Sequence, residues 1–242
     1  GLRALANHLA PTGLLHLFLY ADAGRWEIHR TQRALSLLEA GTGRDGLRLG
    51  RELFETLPEG NRLARHHRER WAVDCAPDAN FADMYLHPQE TSYNLERLFA
   101  FIDTAGLQLA GFSNPEVWDP ARLLKGELLE RALALPQRQQ WQLVEQLDPD
   151  ISHFEFFLSP APVEPRVWSD EAIRKARALR QPCLWGEPDP ILGLNMEPIQ
   201  LSDADRALLR AVSDQPDSAL GGLAEIDQIR DLVKRQLLLL RA

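Results

Sequence analysis

Cysteine is scarce in this sequence, and the two cysteines that occur lie far apart. They are Cys75 and Cys183 among 242 residues, and neither belongs to a Cys-x-x-Cys pair. This spacing gives no zinc-finger pattern, and so few thiols are typical of a reducing compartment. We therefore predict a cytoplasmic protein that folds without disulfide bonds, because a chain of this length buries roughly three quarters of its unfolded surface.

Long apolar runs are also missing. The longest stretch without a formally charged residue, residues 4–21, is interrupted by polar side chains and by Pro11-Thr12-Gly13. A membrane-spanning helix needs about 20 predominantly apolar residues, and a signal peptide needs one continuous apolar core. The sequence therefore predicts neither of these segments and no membrane partner.

Positive charge is in the minority, with 27 Lys and Arg residues against 35 Asp and Glu residues and a net charge of -8. This balance argues against a broad nucleic-acid surface. With 45% hydrophobic and 26% charged residues, the composition is that of an ordinary globular protein. The chain opens at Gly1 without a methionine and continues as Leu2-Arg3-Ala4-Leu5, so we expect a fragment of a longer protein.

Three segments have the pattern of β-strands, and helices are predicted for much of the remaining chain. Residues 14–20 form a continuous apolar run, which is typical of a parallel strand buried on both faces. Residues 107–112 alternate in polarity, and residues 152–158 are the third strand candidate. The predicted helices cover 31–75, with a glycine-rich break at 41–50, and then 94–105, 120–134 and 136–147.

The second half of the sequence suggests a domain boundary. Prolines recur from Pro160 onward, so the predicted organisation is a first domain at 1–160, a proline-rich linker at 161–200 and a small helical domain at 201–242. The linker is predicted to enclose a helix at 169–180, and the last helix to run from Ile226 to Leu240. The C-terminal domain resembles a degenerate winged helix, and its acidic excess favours packing or protein binding over DNA recognition.

Two parts of the first domain resemble class I S-adenosylmethionine-dependent methyltransferases of bacteria. Residues 9–20, Leu-Ala-Pro-Thr-Gly followed by an apolar strand, are similar to the family's fifth strand and its approach. The helix at 94–105, Gly106 and the strand after it are similar to the helix leading into the sixth strand. Residues 152–158 then correspond to the antiparallel seventh. The resemblance implies a helix-rich α/β fold: the late strands of a Rossmann-like sheet with helical insertions.

The same resemblance implies S-adenosylmethionine as cofactor, although the family's cofactor-binding motifs lie upstream of the fifth strand. No cofactor-binding residue is therefore carried over to this chain. Residues 41–46 spell Gly-x-Gly-x-x-Gly, but they follow a helical stripe rather than a strand, so we interpret them as a loop.

The most distinctive polar cluster is Asp83-Met84-Tyr85-Leu86-His87-Pro88, followed by Tyr93. An Asp–His pair acts as a general base in many enzymes, and tyrosine hydroxyls orient substrates. We therefore predict Asp83 and His87 as catalytic residues and Tyr85 and Tyr93 as substrate-binding residues. In the alternative interpretation, the polar pair satisfies a buried turn and the tyrosines pack.

His66 and His67 lie in a densely basic segment, residues 62–70. Adjacent histidines on a helix point in different directions and have no His-x-x-x-His partner, so no metal site is predicted. A solvated basic face is favoured. The alternative is a surface that contacts phosphate or another part of the substrate, and we include both histidines among the candidate substrate-binding residues.

The function predicted from these observations is the substrate-facing part of a methyltransferase with an unknown acceptor, inactive without its N-terminal half. The alternative is a non-enzymatic binding or regulatory module that acts through protein–protein contacts. A strand at 14–20 without its usual neighbours leaves an open, apolar sheet edge. We therefore expect self-association, pairing with the missing half, or coverage of this strand by the inserted helices.

Overall fold

The computed structural model describes residues 1–163, 167–181, 191–192, 198–215, 219–220 and 222–241. The chain divides into two compact units, Gly1–Val163 and Glu164–Ala242. The predicted linker at 161–200 is not separate in this division, because Ile173 and Ala178 are buried in the core of the second unit. Within that range, residues 164–166, 182–190 and 193–197 lie outside the described residues, and Cys183 is one of them.

Three strands form the sheet of the first unit. They are β1 (Leu15–Tyr20), β2 (Gln108–Phe112) and β3 (His153–Ser159), arranged in the order β1-β3-β2. The central strand β3 runs antiparallel to both neighbours. The three predicted strands are confirmed, and so is the antiparallel direction of the last one.

β1 is an edge strand rather than the doubly buried parallel strand that its apolar run predicts. Its partner strand within the first unit is the antiparallel β3. Leu17 is half-buried, whereas Phe18 is 51% exposed. That prediction is wrong. An apolar run indicates that both faces of a strand can be buried, but it does not show that other parts of the first unit pack on both faces. The inserted helices leave Phe18 uncovered within the first unit.

Between β1 and β2 the chain forms short helices with a core of their own. After the N-terminal α1 (Leu2–Ala6), they are α2 (Trp26–Leu37), α3 (Arg44–Thr56), α4 (Arg62–His66) and α5 (Asp78–Tyr85). Ile28, Leu35 and Phe81 are buried at the centre. Gly50 on α3 permits this packing, because a Cβ there would lie 2.6 Å from the Phe81 ring. The predicted insertion is confirmed, although α3 begins inside the expected glycine-rich break.

The next helices cover one face of the sheet. They are α6 (Leu95–Thr104), α7 (Gly126–Leu133) and α8 (Gln137–Leu147), close to their predicted positions. Leu98 and Ile102 of α6 join Phe154 and Phe156 of β3 in a fully buried cluster. Asn94 caps α6 by accepting a hydrogen bond from the Arg97 N–H at 2.8 Å, which satisfies one of the helix's free donors.

After two of the helices, a non-glycine residue adopts the left-handed backbone conformation that favours glycine. Glu39 has φ 52° and Gln236 has φ 57°. Each follows the C-cap of its helix in a Schellman motif: the N–H of Ala40 donates to Leu35 O at 3.1 Å, and that of Leu237 to Leu232 O at 2.9 Å. The left-handed conformation costs a non-glycine residue roughly 1–2 kcal/mol.

The second unit has two strands among its helices. Its elements are α9 (Asp170–Lys175), β4 (Arg177–Arg180), α10 (Asp203–Asp214), α11 (Ile226–Lys234) and β5 (Leu238–Arg241). β4 and β5 pair antiparallel. The helices predicted at 169–180 and 226–240 are therefore too long. In the second case the leucine-rich run continues the apolar pattern, but the turn at Gln236 ends the helix and the remaining leucines form a strand.

No helix in the described ranges combines the length and apolar character needed to cross a membrane.

Candidate functional site

A cavity of about 590 Å³ lies where α2, the loop after it and the segment following α5 meet. Leu35, Tyr85 and Leu86 are its buried residues. The remaining lining is largely polar and consists of His29, Gln32, Arg33, Ser36, Glu39, Gly41, Thr42, His87, Pro88 and Glu90. Ligand sites commonly combine apolar surface with a few convergent polar groups in this way.

Glu90 is the centre of a hydrogen-bond network at this cavity. Arg25 donates to both of its carboxylate oxygens, from Nε at 2.6 Å and from Nη2 at 2.7 Å. His29 Nε2 lies 2.9 Å from Oε1, and Gln32 Nε2 donates to Oε2 at 3.2 Å. Both charges of the ion pair are removed from water, since the side chain of Arg25 is 5% exposed and that of Glu90 11%.

The network shifts the titration of Glu90. Burial on its own would raise the pKa of this carboxyl, but hydrogen bonds from His29 and Arg25, together with the Arg25 charge, lower it to about 2. Glu90 is therefore ionised at neutral pH, and its charge is compensated by Arg25. Its contribution to the cavity is to fix the positions of His29 and Gln32.

The same network connects the cavity to the carboxyl end of β1. The Arg25 guanidinium lies 3.7 Å from the centre of the Tyr20 ring, and Tyr20 is the last residue of the strand. Just beyond, Ser92 hydrogen-bonds to Asp22, and Ala21 forms a parallel bridge with Tyr93. The cavity is therefore linked through Arg25 and Glu90 to the carboxyl end of β1.

Two of the predicted substrate-binding residues contact each other. The Tyr85 hydroxyl is 2.9 Å from His67 Nδ1, and His67 stacks on Phe54 with ring centres 4.0 Å apart. Burial raises the pKa of Tyr85 well above its ordinary value, and burial with the nearby Arg51 charge lowers that of His67. Both side chains are thus neutral at pH 7. Tyr85 also lines the cavity, whereas His67 is not a lining residue and contacts the Tyr85 hydroxyl.

Asp83 and His87 are not brought together as a pair. Asp83 is exposed on α5, and no hydrogen bond joins it to His87 in the described structure. His87 Nδ1 instead accepts the Gln89 N–H at 3.3 Å. His87 does line the cavity, so its catalytic role stays a prediction, while the expected Asp–His pair is not formed.

Tyr93 and His66 lie away from the cavity lining. Tyr93 packs against the main core, 5.5 Å from Phe101 between ring centres. His66 is half-buried 3.9 Å from Glu27, and burial lowers its pKa. The substrate-binding roles of both stay predictions.

Of the glycine motif at 41–46, residues 41–43 form a loop after α2, as predicted, whereas residues 44–46 are the first turn of α3. Gly41 and Thr42 line the cavity, and a Cβ at position 46 would collide with the Gly41 carbonyl oxygen, so only glycine fits there. No strand precedes the motif, so it does not fit a phosphate-cradling turn between strand and helix. Among the described residues, no group of three or more His, Cys, Asp and Glu side chains is arranged to hold a metal ion.

The sequence reasoning missed the residues that organise the site. Arg25, His29, Gln32 and Glu90 belong to no motif, and their pairing spans about 60 residues of chain. The available signal was weak: Arg25, His29 and Gln32 recur at helical spacing on one face of the first inserted helix and its approach.

Comparison with known proteins places this geometry in context. No family model matches the chain. It is 43% identical to the protein syc1184_c of Synechococcus sp. over 255 residues, and spans 61% of that relative's length. Two structures of PKMT2 from Rickettsia typhi match 99% of the chain. The complex with AdoHcy matches with a TM-score of 0.63 at 13% sequence identity, and 54% of its chain is covered. The second structure matches with a TM-score of 0.59 at 12% identity. The chain therefore has the helix-rich α/β fold of the matching part of this methyltransferase.

Proposed function

We propose that this chain is the substrate-facing, C-terminal half of an S-adenosylmethionine-dependent methyltransferase. One observation carries the proposal: β3 is antiparallel to both β1 and β2, as the resemblance implies for the last strand, within a chain that is similar to PKMT2 over 99% of its own length. PKMT2 was crystallised with AdoHcy, which supports S-adenosylmethionine as the cofactor here.

The cofactor is proposed to bind mainly through residues outside this chain. The described residues contain no glycine-rich turn between a strand and a helix, which is the usual cradle for such a nucleotide-like ligand. The motif at 41–46 follows α2 rather than a strand, and its last three residues begin α3. When bound, the cofactor supplies the methyl group, and the residues of this chain position the acceptor beside it.

The cavity at the carboxyl end of β1 is the proposed acceptor site. Tyr85 and His87 line it, and His29 is held there by Glu90. Nε2 of His29 faces the ionised Glu90, so the neutral tautomer that suits this contact carries its proton on Nε2 and has Nδ1 as an acceptor. A group that must lose a proton on methylation finds a proton acceptor in His29.

The proposal is tested by measuring S-adenosylmethionine binding calorimetrically to this chain and to full-length syc1184_c. The expected result is binding to the relative with micromolar affinity, and a dissociation constant above about 1 mM for this chain. Tight binding to this chain would contradict the division into halves. Absence of binding to syc1184_c would contradict the methyltransferase proposal itself.

The open edge of β1 favours a second proposal, an interaction surface for a partner chain or a second copy. Leu14 is 55% exposed, and the exposed Phe18 lies on the adjoining strand. Exposed apolar edges of this kind pair with other strands. Light scattering over a concentration series is expected to show association that Phe18→Asp abolishes. A monomer at all concentrations would leave pairing with the N-terminal half as the proposed use of this edge.

The second unit is proposed to be winged-helix-like. Its element order, helix–strand–helix–helix–strand with the strands paired, supports this. Its role is proposed to be packing or protein binding, as the acidic tail suggests.

A further inference from the structure

We infer that the cavity binds a small ligand that carries an ammonium group and a carboxylate group several bonds apart, the ammonium on Glu39 and the carboxylate on Arg33. The inference names a ligand class for the proposed acceptor site. It rests on the proposed function only for the ligand's role, and its test measures binding alone.

The charges of the lining carry the first step. Glu90 is already neutralised by Arg25, so it offers no net charge to a ligand. Arg33 and Glu39 are different: within the described structure, neither side chain forms a hydrogen bond, an ion pair or a cation–π contact. The cavity therefore presents one uncompensated cation and one uncompensated anion, which together complement a zwitterion.

The backbone of Glu39 is the second, independent observation. The residue occupies the left-handed position of a Schellman motif, where glycine is the preferred residue. Strained positions that hold a functional side chain are common at ligand sites. Here the strained residue is also a lining residue of the cavity that carries a carboxylate.

Geometry sets the separation of the two ligand groups. Arg33 lies on α2 and Glu39 one residue beyond its C-cap, Leu38, so the backbone positions that carry the two side chains are at least about 7 Å apart along the helix axis. The two charged groups of an α-amino acid share one carbon atom and are too close together for this span. Leu35 and Leu86 provide apolar surface in the lining, so a methylene chain between the charged groups suits the cavity.

The test uses calorimetric titration of the full chain with 6-aminohexanoate, and with hexylamine and hexanoate as singly charged controls. We expect 6-aminohexanoate to bind at least about tenfold more tightly than either control. Glu39→Gln is expected to remove that advantage over hexanoate, and Arg33→Gln the advantage over hexylamine. Equal binding of all three compounds, or no binding of 6-aminohexanoate at about 10 mM, would overturn the inference.

A matched pair of glycine substitutions separates ligand binding from folding. Glu39→Gly and Gln236→Gly relieve the same backbone conformation, so each is expected to raise the melting temperature by about 2 °C. Only Glu39→Gly is expected to weaken 6-aminohexanoate binding, because Gln236 lies in the second unit's core region and not in the cavity lining. If Glu39→Gly retained full affinity, the carboxylate would have no part in binding and the inference would fail.

Discussion

Replacing Glu90 by glutamine removes one charge from a buried ion pair and leaves the other in place. Arg25, 5% exposed, would lose its carboxylate partner while still being shielded from water. Removing one member of a buried, hydrogen-bonded pair typically costs about 3–5 kcal/mol, because the remaining charge is uncompensated. The lowered pKa gives a second estimate: a shift from 4.5 to about 2 corresponds to about 3 kcal/mol.

The pH dependence of this effect has a definite sign. Because the folded-state pKa of Glu90 is depressed, its stabilising contribution is fully present above pH 4.5 and is lost as the pH falls through about 2. The difference between the wild type and Glu90→Gln should therefore be about 3 kcal/mol at pH 7 and shrink towards zero near pH 2.

Urea denaturation followed by tryptophan fluorescence measures this difference, and the first unit's transition is the one expected to move. Glu127→Gln is the control, because its ion pair with Arg131 is 73% and 76% exposed and contributes less than about 0.5 kcal/mol. A loss below about 1 kcal/mol for Glu90→Gln, or a difference that persists unchanged at low pH, would refute the reasoning.

Three further substitutions test the packing and caps of the first unit by the same denaturation assay. Gly50→Ala places a methyl group against the Phe81 ring and is expected to cost about 1–3 kcal/mol; Gly60→Ala, with open space around it, should be nearly neutral, and equal losses would contradict the packing argument. Tyr85→Phe removes the hydroxyl contact with His67 and should lower the free energy of unfolding by about 1 kcal/mol. In a protein that already carries His67→Phe, the same substitution should cause no such loss, because the contact is already absent. Asn94→Ala should cost about 1 kcal/mol through loss of the α6 cap, and Asn94→Ser should recover most of it if capping is the cause.

The elements that were predictable from the sequence are those encoded by local patterns. Leu95, Leu98 and Ile102 recur at helical spacing and identified α6, and the apolar run at 14–20 identified β1. In each case the residues that specify the element are close together in the chain. The exposure of Phe18 was not predictable in this way, because it depends on whether a distant segment covers the strand.

The cavity shows the same limit more sharply. Tyr85 and His87 were predicted from a compact polar cluster, and both line it. Glu90 was not, because a single glutamate has no signature until Arg25 and His29 are brought against it by folding. The helix predicted through Leu240 failed for a related reason: apolar spacing alone does not distinguish the end of α11 from the strand that follows it.

The central position of β3 has a consequence for how the first unit is made. β1 is synthesised well before β3, because Leu17 pairs with Phe156, about 140 residues later. At the usual rate of synthesis of about 5–20 residues per second, β1 waits on the order of 10 s for its partner strand. The inserted helices α2–α5 contact mainly one another and form before then, since closing long loops is slow. During that interval Leu15, Leu17 and Leu19 lie on a strand without its partner β3, so the apolar side chains and unpaired backbone groups of this segment are most exposed before β3 is made.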